Sequence, residues 1–350
     1  GIVYLYLKIQ VPDLSRYDFP VAPLVLERDA VSEGHEQVLE RLRAYHQGGS
    51  KNVTIARKNI ENTFAQEVDA EIQPVDAHGM PAEWIIAAGA DTRRRLLYIH
   101  GGAFMVGSPK TYRFITAELS RRAGVAVLAI DYRMRPEFKI TDCHQDAQTA
   151  YRWILSHGPS GAHTTGEDLI IDSPASELYV AGDSAGGNLT LSVIAWARNN
   201  NLQPANAAIA IAPLTDSSFS SPTWRSNLDT DPFLGPNFAP LLKIPLFLTR
   251  IGASLGAGAW CADPLISPIF GDLGGLPPTL IQASCDEMLF GDSQRYANKA
   301  QVEGGNVTLQ LWPTMVHVFQ LFAPQLPEAM DALDRIAKFI DAHHVALDED

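Results

Sequence analysis

An apolar, β-favouring run, Leu178-Tyr179-Val180-Ala181, stops at Gly182, and a helical pattern of Leu189, Leu191, Val193, Ile194 and Trp196 follows almost at once. Between them stands Gly182-Asp183-Ser184-Ala185-Gly186-Gly187, a Gly-x-Ser-x-Gly segment at a strand-to-helix turn. No other stretch constrains the fold as tightly, because an apolar strand feeding directly into a helix calls for a sheet with helices packed on it. A serine projecting from so sharp a turn sits in strained backbone, so Gly182 and Gly186 must be nearly free of side chain. The helix after it aims unpaired N–H groups at the same spot, where they favour negative charge. Ser184 is therefore a candidate nucleophile rather than part of a plain Gly/Ser turn.

The rest of the chain agrees with such a sheet. From residue 67, runs at Val68–Val75 and Ala82–Ala87 flank the turn Asp76–Pro81 and read as a hairpin. Short β-favouring runs follow at Leu96–Ile99, Val125–Ile130, Leu178–Ala181, Ala207–Ile211, Thr279–Ala283 and Val307–Leu311. Helical patterns separate most of them: Thr116–Ala123, Cys143–Ser156, Asn188–Asn199 and Ser293–Glu303, with a last helix carrying Met330, Leu333, Ile336, Phe339 and Ile340. This alternation predicts an α/β fold whose mostly parallel central sheet carries helices on both faces. In such sheets ligands bind beyond the carboxyl ends of the strands, where Ser184 stands.

Two segments fall outside the alternation. Residues 1–66 hold a turn-rich stretch from Asp13 to Pro23, then a helix over Val38, Leu39, Leu42 and Tyr45. Ser32 is the expected cap of that helix and Gly48-Gly49 its end, and a second helical segment is expected around 51–65. Residues 213–260 are rich in Pro, Ser and Gly with interspersed aromatics (Phe219, Trp224, Phe233, Phe238, Phe247). The first has too little apolar face for its own core and the second is too long an interruption to be a plain connection, so both are expected to form a helical cap over a catalytic domain at 67–350. The cap aromatics either line the site or form the cap's own core. The edge position expected for Val307–Leu311 makes a homodimer through that strand one possibility.

Composition excludes some functions. A formal charge of −13 argues against nucleic acid and anionic membranes as partners. No apolar run is long enough to span a membrane, and the opening Ile2–Leu7 is too short and lacks the flanks of a leader, so no membrane insertion is expected. Cys143, Cys261 and Cys285 form no paired framework, which predicts free thiols and a reducing, cytoplasmic setting.

A serine hydroxyl needs a base to take its proton and a carboxylate to orient that base. His317, on the loop between the run Val307–Leu311 and the last helix, fits the base. Asp286, just after the preceding run, is the expected carboxylate, giving the order Ser…Asp…His. Glu287 and Asp292 are its rivals, and Asp292 reads better as the cap of the next helix. His100, His144 and His157 lie earlier in the chain, and surface or core roles suit His144 and His157. The segment His100-Gly101-Gly102-Ala103-Phe104 leaves its strand beside the serine's. Its small residues let backbone amides turn inward as an oxyanion hole, with Gly102, Ala103 and Ala185 as donors and Gly101 making the turn. Asp183 and Glu137 are expected to hold loops by hydrogen bonds.

Together, His100–Phe104 and Gly182–Gly187 resemble the hormone-sensitive-lipase-like (bacterial family IV) carboxylesterases of the α/β-hydrolase fold. So do Asp131-Tyr132-Arg133-x-x-Pro136-Glu137, Asp263-Pro264-x-x-Ser267-Pro268 and Asp286-Glu287-Met288-Leu289, all in the family's order over residues 68–343. The resemblance implies a serine ester hydrolase with Ser184, His317 and Asp286 as triad and neither cofactor nor metal. Its expected substrate is a small ester or lactone. Departures are Ala103 in place of a third glycine, Met134-Arg135 for Leu-Ala, a proline-free stretch at 138–141, and Gly291 where relatives often carry a carboxylate. Lactone hydrolysis and acyl or polyketide transfer would use the same groups. A binding protein on a retired hydrolase fold is the reading from another class, and such proteins typically lose the base.

Overall fold

The computed structural model describes residues 11–19, 24–26, 32–159 and 171–345. The apolar opening Ile2–Leu7 lies outside them. In chain order the strands are β1 (Leu24–Val25), β2 (Glu71–Asp76), β3 (Pro81–Ile86), β4 (Asp91–Ile99), β5 (Val125–Ile130), β6 (His157–Gly158), β7 (Ile171–Asp172), β8 (Glu177–Asp183), β9 (Ala207–Ile211), β10 (Thr279–Ser284) and β11 (Val307–Trp312). The helices are α1 (Gly34–Gln47), α2 (Val53–Phe64), α3 (Arg113–Ala123), α4 (Ile140–Ser156), α5 (Ala185–Asn199), α6 (Thr223–Ser226), α7 (Gly235–Leu242), α8 (Leu246–Ala257), α9 (Phe290–Val302) and α10 (Pro327–Ala342).

Nine of the described strands form one sheet in the order β1-β11-β10-β9-β8-β4-β5-β3-β2. Every neighbouring pair is parallel except β2–β3, the hairpin expected from the sequence, and β3–β5. β6 and β7 form a small separate ladder. The central strands β5, β8, β9 and β10 are buried along their whole length, which is why they read as unbroken apolar runs rather than alternations. Alternate residues nevertheless serve different faces. Leu97, Ile99 and Val180 pack with Ala147 and Ile154 of α4, Leu189 and Val193 of α5, and Tyr296 of α9. Leu96, Tyr98 and Tyr179 pack with Ile115 and Leu119 of α3 and with Leu333 and Ile336 of α10.

The strand order reverses between β4 and β8: β5 lies outward of β4, whereas β9, β10 and β11 step away from β8. β4 and β8 pair in register, Ile99 against Gly182. The loops after both strands therefore open into one crevice, the place where parallel sheets bind ligands.

Several local expectations need correction. Ser32 does not cap α1; its hydroxyl donates to Glu328 Oε2 at 2.7 Å. Asp292 sits in the first turn of α9 but caps a different segment, accepting the Thr215 and Asp216 N–H groups at 3.0 and 3.1 Å. The first part of residues 1–66 belongs to the body of the fold: Leu14 and Tyr17 are buried in its core, and Arg295 of α9 pairs with Asp18. β1 then adds to β11, pairing Leu24 with Gln310 and Val25 with Leu311, so the carboxyl half of the expected free edge is covered. α1 and α2 bury Val38, Leu42, Ile60 and Phe64 in the core that also holds α3 and α10.

Candidate active site

The sharpness of the turn after β8 is visible in its backbone. Ser184 has φ 52° and ψ −113°, a positive-φ conformation outside the usual wells that costs a non-glycine residue energy and that the surroundings must enforce. Its N–H donates to Ile211 O at 2.8 Å, and its carbonyl accepts from both Asn188 and Leu214. A Cβ on Gly186 would stand 1.9 Å from Ile99 O, and one on Gly182 would stand 2.5 Å from Gly186 O. Both glycines of the motif are thus required by the close passage of β4. Gly186→Ala is expected to destabilise the fold by about 3 kcal/mol and to lower Tm by about 5 °C or more, measurable by thermal circular dichroism.

His317 brings its imidazole to this serine. Nε2 lies 2.9 Å from Ser184 Oγ, and Nδ1 lies 3.2 Å from Glu287 Oε2. His317 and Glu287 are both buried, at 2 and 1 % exposure, while Ser184 remains half-buried and open to the crevice. Asp286, the carboxylate expected from the sequence, is not in this line. Its Oδ2 accepts the Thr314 N–H at 2.8 Å, on the exposed side of the loop after β11. Glu287, the neighbouring rival named above, takes the inward position.

The reason lies in residues far away in sequence. Asn227 Nδ2 donates to the carbonyls of Cys285 and Glu287 at 2.9 and 3.0 Å, and Thr230 Oγ1 donates to that of Asp286 at 2.9 Å. Asp231 Oδ2 accepts the Met288 N–H at 2.9 Å, and Thr223 Oγ1 donates to Met288 O at 2.8 Å. Four residues of the long insertion thus grip four consecutive residues of the carboxylate loop and set which side chain faces inward.

Electrostatics around the imidazole favour its protonated form. Burial alone would lower the His317 pKa, but the hydrogen bond and charge of Glu287, aided by Asp231 and Asp183, outweigh it and hold the pKa above the ordinary histidine value. Burial likewise pushes the Asp183 carboxyl up to about 6, against the pull of its donors. Those donors include Tyr98 O–H at 2.9 Å and Gly101 N–H at 3.0 Å. Asp183 therefore ties the loop after β4 to the serine turn.

That tie separates the four residues expected to form the oxyanion hole. Gly101 N–H is taken by Asp183, so Gly101 is not a free donor; its place in the turn is forced, because a Cβ there would meet Asp183 Oδ2 at 2.1 Å. The N–H groups of Gly102, Ala103 and Ala185 donate to no group among the described residues. Gly102, Ala103 and Phe104 all have positive φ (109°, 55° and 58°), which rolls this loop toward the serine. His100 supports it from below. Its ring stacks on Tyr132 and Tyr112, its Nδ1 contacts Gly101 O at 2.7 Å, and burial lowers its pKa to about 4, so it is a neutral strut. Arg57 of α2 fastens the outer side through Met105 O and Arg135 O at 2.8 Å each, and pairs with Glu137.

The insertion's aromatics divide between two jobs. Phe219, Trp224 and Phe238 pack on one another and on Met288 and Leu289 as a small core. Phe233 instead stands 6.1 Å from the His317 ring and meets Tyr45 of α1 and Phe64 of α2. These three rings come from three separate elements, and no local pattern joins them.

Comparison with known proteins bears on the fold and the class of reaction. A family described as alpha/beta hydrolase fold matches residues 96–321. An acetyl-hydrolase of Streptomyces hygroscopicus is 33% identical over 259 residues, 74% of this chain and 79% of that protein. An esterase of Acinetobacter venetianus is 32% identical over 277 residues, covering 79% of this chain and 84% of its own. The crystal structure of an esterase from the bacterial hormone-sensitive lipase family superposes with a TM-score of 0.76 at 30% identity, over 90% of this chain and 99% of that one.

Proposed function

The chain belongs to the α/β-hydrolase family, in its hormone-sensitive-lipase-like esterase branch, and is a carboxylic-ester hydrolase; on that premise we propose that it works through an acyl-enzyme on Ser184. His317 takes the Ser184 proton as the hydroxyl attacks the ester carbonyl, and Glu287 holds the imidazole in the tautomer that leaves Nε2 free to accept. The oxyanion that develops is met by the N–H groups of Gly102, Ala103 and Ala185. His317 then gives the proton to the leaving alkoxide and activates water to clear the acyl group from Ser184. The observation that carries this reading is the unbroken line from Ser184 Oγ through His317 to Glu287, at 2.9 and 3.2 Å. A retired, purely binding site would have no need of it.

The acyl groups handled are short to medium in length. The ring cluster of Phe233, Tyr45 and Phe64 beside His317 supports an apolar substrate, and α1, α2 and the insertion act together as the cap above it. Hydrolysis of p-nitrophenyl esters from acetyl to palmitoyl tests this: activity should peak at the short end, and a palmitoyl optimum would refute it.

The reaction needs a neutral imidazole, so kcat/KM should rise with pH along an acid limb. Because His317 is held above the ordinary value of about 6.5, the midpoint of that limb should lie above it as well. Asp231→Asn keeps an acceptor for the Met288 N–H but removes a nearby negative charge. It should move the limb to lower pH, whereas an unmoved limb would show that Asp231 acts only as a brace.

A further inference from the structure

The outer face of α8 is apolar and uncovered by any described residue. Phe247 and Leu255 are 62 and 75% exposed, and Leu248 and Ile251 lie between them on the same side of the helix. Ile244, at the turn from α7, extends the patch. The opposite side faces the protein: Thr249 and Ala257 are buried, and Arg250 is pinned to Ser218 O at 3.0 Å. The exposed charges beside the patch are cationic: Lys243 at the turn from α7, and Lys139, which lies against Gly258 at the end of α8. From Pro232 to Ala262 the chain carries no Asp or Glu, although it has 40 in 350 residues.

Such a face resembles one side of an interfacial helix, and its extent argues against a protein partner. α8 has 12 residues, so the stripe is about 18 Å long and roughly 10 Å wide. That is on the order of 200 Å², well short of the ~800 Å² each partner of a stable dimer contributes. A lipid surface needs no such area, because a few large side chains entering the boundary between headgroups and acyl chains suffice. No single described helix is long and apolar enough to cross a membrane, and α7 and α8, which reach that length and composition only together, are bent by 115°.

We propose that the outer face of α8, with the α7–α8 turn, adsorbs the protein to an electrically neutral lipid surface such as phosphatidylcholine. The missing carboxylates spare the patch from burying charge, while the net −13 of the whole chain repels an anionic surface. The cap that covers the active site would thereby rest against a phase in which apolar esters concentrate.

Vesicle flotation of the full chain with phosphatidylcholine liposomes tests this. The native protein should float with the vesicles, and adding phosphatidylglycerol at low salt should weaken its partition. Phe247→Ser with Leu255→Ser should reduce the partition at least tenfold at unchanged Tm. Val302→Ser, an equally exposed apolar position on α9, is the control and should have no effect. Failure to float, equal flotation of the double variant, or stronger binding to anionic vesicles would each overturn the proposal. So would a concentration-dependent dimer in sedimentation velocity that the double variant abolishes, since a second copy would then occupy this face.

Discussion

Replacing Ser184 with alanine is expected to lower kcat/KM on a short p-nitrophenyl ester by about 10⁵-fold or more, while the protein still folds. The hydroxyl contacts His317 and no other side chain among the described residues, so its loss removes the nucleophile and little else. The conformation of residue 184 is held by its backbone bonds to Ile211, Asn188 and Leu214, which alanine keeps. Some rate enhancement over water should persist, because the free amides of Gly102, Ala103 and Ala185 can still polarise a bound carbonyl. Steady-state kinetics beside circular dichroism checks both halves. A folded variant that retains even one per cent of native activity would mean that another nucleophile does the work.

The second large effect separates two neighbouring carboxylates. Glu287→Gln should cost about 10³–10⁴-fold in kcat/KM, because an amide facing Nδ1 can favour the wrong imidazole tautomer and cannot stabilise the imidazolium that forms. It should also move the acid limb of the pH profile down, since the largest charge holding the His317 pKa up is gone. Asp286→Asn should change the rate by no more than roughly two- to threefold, the scale of an about 0.5 kcal/mol surface change. Its Thr314 contact lies outside the line of reacting groups, and an asparagine oxygen can still accept it. The reverse outcome, a collapse in Asp286→Asn with Glu287→Gln near native, would mean that the loop turns the other way in the working enzyme.

The contrast between these two residues shows where sequence reading stops. The strands, the crossover helices and the serine turn were legible because each follows from a local pattern: apolar runs for buried parallel strands, helical spacing for their covers, and glycines where β4 passes too close for a Cβ. His317 was legible from its place after the last long strand. The choice between Asp286 and Glu287 was not. It depends on Asn227, Thr230 and Asp231 reaching across from the insertion, contacts that span more than fifty residues and leave no periodicity. The same holds for Asp292, whose carboxylate serves Thr215 and Asp216 instead of its own helix, and for Phe233 beside the base. β1 escaped notice for a different reason: two residues are too few to show a strand pattern, and only pairing with β11 makes them one.

The central claim is that Ser184 carries the acyl group. Intact-protein mass spectrometry after treatment with a small alkyl phosphonate fluoride, followed by peptide mapping, tests it most directly. One adduct per chain on the peptide containing Ser184, formed in step with loss of esterase activity and absent from Ser184→Ala, is the predicted result. Full inactivation with the label on any other residue, or an active protein that takes no label, would contradict it.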